Sequence, residues 1–128
     1  YAHHPTEIRS ILEGVKNVHK NKKIVSVFEP HRYSRVLSLK QEFAKSFKDS
    51  DMVLLCPLYE AGEKKNRRYN QYIFAKSISK LSKTQVVIIK SQNDLNKFMK
   101  KNLKYNEIII GMGAGSISKW MKELKTII

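Results

Sequence analysis

Cysteine is almost absent: Cys56 is the only one in 128 residues. A lone cysteine can form no intrachain disulfide and no cysteine-based zinc site, and such usage fits a cytoplasmic setting. Long apolar runs are missing too. The longest are MVLLC, VVII and IIIG, far short of the ~20 residues a membrane-spanning helix needs. No signal-peptide pattern opens the chain. There is no G-x-x-x-x-G-K-[ST] phosphate loop and no G-x-G-x-x-G dinucleotide fingerprint. No Ser-His-Asp or Cys-His constellation can be assembled. Acidic residues are few, 11 against 25 basic ones, for a net charge of +14. Arginine is also sparse, at positions 9, 32, 35, 67 and 68 only. The other basic residues are lysines scattered along every segment, which reads as a solvated coat, whereas a nucleic-acid footprint is clustered. The KKNRR stretch at 64–68 is the best local candidate for nucleic acid, with Tyr69 its one neighbouring aromatic.

What is present is a soluble-domain composition, 41% hydrophobic and 28% charged, on a length that fits one domain, residues 1–128. Pro5 reads as the first residue of a helix carrying Ile8, Ile11, Leu12, Val15 and Val18 at helical spacing. IVSVF (24–28) reads as a buried strand. A second helix is expected from Val36 to Phe47, with Ser34 as its cap. MVLLC, QVVIIK and EIIIG are the next strands, each followed by an amphipathic helix: Ile73 to Leu81, Leu95 to Leu103, and Ile117 to Leu124. The order is αβαβαβαβα. Short strands without polar alternation imply cover on both faces. The expected fold is therefore α/β: a Rossmann-like open, mostly parallel sheet with helices on both faces.

In such sheets ligands bind beyond the carboxyl ends of the strands. EPHRYSR, 29–35, lies there and places His31, Arg32 and Arg35 at the amino end of a helix. The helix dipole disfavours cations at that end. An anionic ligand, carboxylate or phosphate, relieves the conflict. So does pairing with Glu29 or Glu60. GMGAG (111–115) sits between the last strand and helix, either as a tight turn or as a turn open to an anion. His3 and His4 precede a helix with no Cys or Asp nearby, a pattern suited to hydrogen bonding rather than metal. Cys56 reads as core.

The combination of YAHHPTE, FEPHRYSR about twenty-five residues on, YEAGE and GAGSI resembles the carboxy-terminal domain of the Mur ligases. Within that family it is most similar to the branch that joins L-alanine to UDP-N-acetylmuramate. The resemblance runs from Tyr1 to about Trp120. It implies a protein of three domains: one for the UDP-sugar, a central P-loop ATPase domain and a Rossmann-like third. This chain would be the third, a substrate- and nucleotide-closing domain that closes over the central one and helps hold the amino acid and nucleotide. The reaction implied is ATP-dependent amide formation through an acyl phosphate in peptidoglycan precursor synthesis. ATP and Mg2+ would be held mainly by the central domain, with no catalytic or metal residue in this chain. The partners implied are L-alanine, UDP-N-acetylmuramate and the enzyme's own other domains, with no nucleic acid and no membrane. A basic nucleic-acid-binding module is the alternative.

Carried onto this sequence, the resemblance gives substrate-binding roles to Tyr1, His3, His31, Arg32 and Arg35, and to Tyr59, Ala61 and Gly62 in a bordering loop. The aspartates that precede the opening tyrosine in the family lie outside this chain. The Lys64–Asn70 stretch replaces the family's Pro- and Gly-containing loop. A chain starting at Tyr1 is expected to be a piece of a longer protein, and to be inactive alone.

Overall fold

The computed structural model describes residues 4–102 and 106–127, with side chains as far as Leu124 in the last helix. Helix α1 (Pro5–Val18) starts at His4, whose Nδ1 accepts a hydrogen bond from the Thr6 amide at 3.2 Å. A side-chain acceptor at that position satisfies one of the helix's orphan amides, and Pro5 has none to satisfy. Ile8 and Leu12 are fully buried, whereas Ile11 and Val18, seven residues apart, lie on the flank away from the sheet and are exposed. Gly14 is in an open stretch of this helix, where an added β-carbon would meet nothing within 4 Å. Gly14→Ala should therefore stabilise the domain by about 0.5–1 kcal/mol, read as a higher denaturation midpoint.

Strands β1 (Lys23–Phe28), β2 (Met52–Leu55), β3 (Gln85–Ile88) and β4 (Glu107–Met112) form one sheet in the order β3-β2-β1-β4, every pair parallel. Six helices surround it among the described residues. The expected second helix is two: α2 (Tyr33–Ser38) and α3 (Lys40–Ala44), separated at Leu39, whose φ and ψ of −117° and 25° leave the helical region. Ser34 does not cap α2. The N-cap is Arg32, with no side-chain hydrogen bond to the helix. Helix α4 (Gln71–Ser82) is capped by Asn70, which accepts from the Ile73 amide at 3.1 Å. Helix α5 (Gln92–Asn102) follows the KSQND turn, where Ser91 accepts from the Asp94 amide at 3.1 Å and Asp94 accepts from the Lys90 amide at 2.9 Å. A Ser and an Asp three residues apart thus make an ordinary capped turn. Leu103, expected on this helix, lies outside the described residues. Helix α6 (Ile117–Ile127) ends the fold.

The buried side chains divide into two clusters, one on each face of the sheet. On one face, Ile24, Phe28, Val53 and Leu55 meet α1, α2, α3 and α4. Phe28 is central there, with ring centroids 5.7 Å from Phe43 and 5.2 Å from Phe47. On the other face, Val25, Val27, Leu54 and Cys56 meet α5 and α6. Successive strand residues thus point to opposite, equally apolar layers, which is why the strands carry no polar alternation. The expected α/β class and two-sided cover hold, and the sheet is wholly parallel. Besides Ile11 and Val18, a further periodicity reading fails: Ile73, placed on the core face of α4, is 55% exposed. Phe74, Ala75 and Ile78 fill that core instead.

The chain leaves β1 toward one face, through α2, and leaves β4 toward the other, through α6. β1 and β4 are neighbours. Their carboxyl ends therefore form the topological switch point, where a crevice opens in folds of this kind.

Candidate functional site

Two loops are laced together above β1 and β2. The Tyr59 amide donates to Pro30 O at 2.8 Å, and the Arg32 amide donates to Tyr59 O at 2.8 Å. His31 and Tyr59 form a parallel bridge, and their rings stack at 5.6 Å with planes 18° apart. This ladder fixes Arg32 at φ 68° and ψ 132°. Such a backbone costs a residue with a β-carbon roughly 1–3 kcal/mol, and it persists only where neighbours hold it.

The next turn closes with the Glu63 amide donating to Glu60 O at 3.0 Å. Both central residues have left-handed φ, 52° at Ala61 and 85° at Gly62. Glycine adopts this without strain and alanine does not. The turn places two carboxylates beside the start of α2. Glu60 accepts from the Tyr33 hydroxyl at 2.7 Å. Glu63 accepts from the Ser34 amide at 3.2 Å and from the Ser34 hydroxyl at 2.5 Å, and lies 3.7 Å from Arg32 Nε. The Ser34 hydroxyl is the main reason the Glu63 carboxyl is held below the usual range, with the backbone amides and the Arg32 charge adding to it against some desolvation. Burial, then the bond to Glu60, pushes the Tyr33 phenol up to about 12.

These contacts revise the electrostatic reading of EPHRYSR. Arg32 at the start of α2 is offset within the chain, by Glu63 rather than by Glu29 or Glu60. Arg32 remains nearly half exposed at its side chain. Arg35, one helical turn on, is different. Its Nη1 is buried with no hydrogen-bond partner among the described residues. A buried guanidinium nitrogen lacking an acceptor is costly, and a ligand carboxylate would supply one.

The glycine turn after β4 is closed from within. Glu29, 2% exposed, directs its carboxylate onto the start of α6. It accepts from the Gly115 amide at 3.2 Å, the Ile117 amide at 3.3 Å and the Ser116 hydroxyl. The position where a helix start would hold a bound anion is thus filled by the protein's own carboxylate. Of the two readings open for GMGAG, the tight turn is the one formed. Its glycines admit close approach by protein, not ligand: a β-carbon on Gly115 would lie 2.3 Å from the Tyr59 ring, and one on Gly113 would lie 3.0 Å from Glu29. Tyr59 is thereby held between Gly115 and His31.

His31, Arg32, Arg35, Tyr59, Ala61 and Gly62 all come together at this edge. Tyr1 and His3 lie outside the described residues. Sequence reasoning missed Glu29 and Ser116 as partners and Glu63 as an anchor. The available signals were a carboxylate directly after a wholly apolar strand, and Ser116 placed to start a helix. Elsewhere, Tyr69 turns inward against Tyr33 and Phe74, at 6.0 and 5.9 Å. Burial pushes its phenol up. The one aromatic beside KKNRR is therefore an anchor for the loop, not a platform for stacking bases. Burial, then the charges of Glu29 and Asp94, raises the Cys56 thiol to about 12, as suits an inert core cysteine. Among the described residues no three His, Cys, Asp or Glu side chains gather as metal ligands, and no helix is long and apolar enough to cross a membrane.

Residues 1–115 match the Mur ligase, glutamate ligase domain. The chain belongs to the Mur ligase family. Over all 128 residues it is 48% identical to the UDP-N-acetylmuramate–L-alanine ligase of Pelagibacter ubique, of which it spans 28%. The ligase of the same description from a Hydrogenobaculum species is 41% identical over 123 residues, 96% of this chain and 26% of that protein. The crystal structure of a UDP-N-acetylmuramate–alanine ligase from Thermotoga maritima superposes with a TM-score of 0.76 at 26% identity, over 98% of this chain and 25% of that one. The chain thus spans about a quarter of the length of these Mur ligases, and its fold matches the corresponding part of the solved one.

Proposed function

We propose that this chain is the third, carboxy-terminal domain of a cytoplasmic UDP-N-acetylmuramate–L-alanine ligase. In that enzyme L-alanine is joined to UDP-N-acetylmuramate, with hydrolysis of ATP, in peptidoglycan precursor synthesis. Likeness along all 128 residues to a part of the Pelagibacter ligase carries the reading. The switch-point placement of Arg32 and Arg35 supports it, because it puts two guanidinium groups where an amino acid's carboxylate could be gripped.

The chain's own residues then bind and orient. Arg35 supplies a buried donor with no partner among the described residues, and Arg32 the more exposed one. Gripping the carboxylate end leaves the amine as the free, reacting end. Fixing a nucleophile in this way can be worth several orders of magnitude in rate. The His31–Tyr59 stack walls the crevice, and Tyr1 and His3 join it on the resemblance. Docking of this edge onto the central domain would shield a hydrolysable acyl phosphate from water.

ATP and Mg2+ do not fit this chain by itself. The anion position at the glycine turn holds Glu29, no P-loop is present, and no metal-ligand cluster gathers among the described residues. On the family resemblance, activation of the muramoyl carboxylate belongs to the central domain. The test is a coupled assay of ADP release. The full-length protein should turn over only with both L-alanine and UDP-N-acetylmuramate present, and the 128 residues alone should not turn over. Ligation by the isolated chain, or turnover indifferent to L-alanine, would overturn the proposal.

A further inference from the structure

Three consecutive residues at the start of α2 each have a partner in the segment Tyr59–Glu63. The Arg32 amide is bound by the Tyr59 carbonyl, the Tyr33 hydroxyl by Glu60, and the Ser34 amide and hydroxyl by Glu63. The segment reaches them through left-handed φ at Ala61 and Gly62, and Arg32 itself carries positive φ. Three positive-φ residues in two short loops are more than capping a six-residue helix requires. A single Ser, Thr, Asp or Asn at the N-cap would do that without strain. What the arrangement achieves in addition is control of Arg32 at both ends, by Tyr59 at the backbone and by Glu63 at the head group.

The edge that Glu63 takes matters. A guanidinium offers two pairs of donors to a carboxylate: Nε with one terminal nitrogen, or the two terminal nitrogens. Glu63 approaches Nε. At 3.7 Å this is an ion pair and not a hydrogen bond, strong enough to bias orientation and weak enough to add little stability at a half-exposed site. We propose that Glu63 is a positioning residue for Arg32: anchored by Ser34, its carboxylate engages the Nε side of the guanidinium and reserves the terminal nitrogens for the carboxylate of the incoming amino acid. This rests on the reading of the site given above. It assigns the YEAGE turn a task that contact with substrate does not require.

The test uses the full-length enzyme with Glu63→Gln, Arg32→Ala and the double variant. KM for L-alanine, kcat and the thermal midpoint are measured for each. Glutamine keeps an acceptor for Ser34 but removes the charge facing Arg32. Glu63→Gln is expected to raise KM about two- to fivefold, the worth of one partly exposed ion pair, with kcat and the thermal midpoint nearly unchanged. In the Arg32→Ala background the same replacement should add nothing, as expected when one residue acts through the other. A lower KM in Glu63→Gln would show that Glu63 competes with the substrate, and would overturn the inference. An equal effect of Glu63→Gln with and without Arg32 would overturn it too. If Arg32→Ala raises KM while Glu63→Gln does not, the inference fails and the site reading stands. If Arg32→Ala leaves KM unchanged, the site reading fails and takes the inference with it.

Discussion

Glu29→Ala is expected to lower the stability of the 128-residue chain by about 3 kcal/mol, with a fall in thermal midpoint of about 10 °C. Glu29 lies two residues before His31, on the loop leaving β1, and binds two amides and a hydroxyl at the start of α6. Its removal leaves those donors without an acceptor in a site that is 2% exposed at Glu29. Bonds to a charged acceptor are worth about 1.5–3 kcal/mol each, and they are not additive. The total is therefore set nearer one and a half bonds than three. Glu29→Gln should lose less, because one amide oxygen still accepts while its NH2 faces donors. Urea denaturation of the two variants and the parent reads both effects. An unchanged midpoint in Glu29→Ala would mean that the contact between the two loops is not what holds the switch point closed. The same replacement is the only simple way to free the glycine turn for an anion, so it also measures what closure is worth.

Arg35→Ala in the full-length enzyme is expected to lower kcat/KM for L-alanine by about 100-fold, close to 3 kcal/mol of transition-state binding. Arg35→Lys should recover little of it, since an ammonium cannot reproduce a two-pronged grip on a carboxylate. Thermal stability should move the other way or stay level. Arg35 Nη1 is buried without a partner among the described residues, so deleting it removes a desolvation penalty and no bond to them. Loss of activity with retained or raised stability separates a binding role from a structural one. Steady-state kinetics and a melting curve on the same preparation suffice. If activity and stability fall together, Arg35 is part of the scaffold and the carboxylate is gripped elsewhere.

Much of this was legible in the residues in order. Strands with no polar alternation required apolar cover on both faces, and the two clusters about Phe28 and Val27 provide it. The KSQND turn showed its own cap, because Ser91 and Asp94 bond to amides within three or four residues. EPHRYSR, YEAGE and the glycine turn could be placed at one edge because a parallel sheet brings every strand's carboxyl end to the same side. Local signals also misled. Ile73 and Ile11 have helical spacing but face solvent, since periodicity gives a stripe and not which flank of it the neighbours cover.

The sequence by itself determined the αβ alternation, the family and the short stretches in which a site could lie. Those depend on spacing, composition and motif, all local along the chain. The tertiary structure alone decided which charges meet. Glu63 faces Ser34 from 29 positions away, and Glu29 reaches Gly115 across 86. No spacing rule reaches that far, because such pairs are set by strand register and by turn geometry at Ala61 and Gly62. That is also why Glu29 closes the glycine turn and Glu63 offsets Arg32, pairings no spacing rule gave, while among the described residues Arg35 keeps a buried nitrogen still to be bonded.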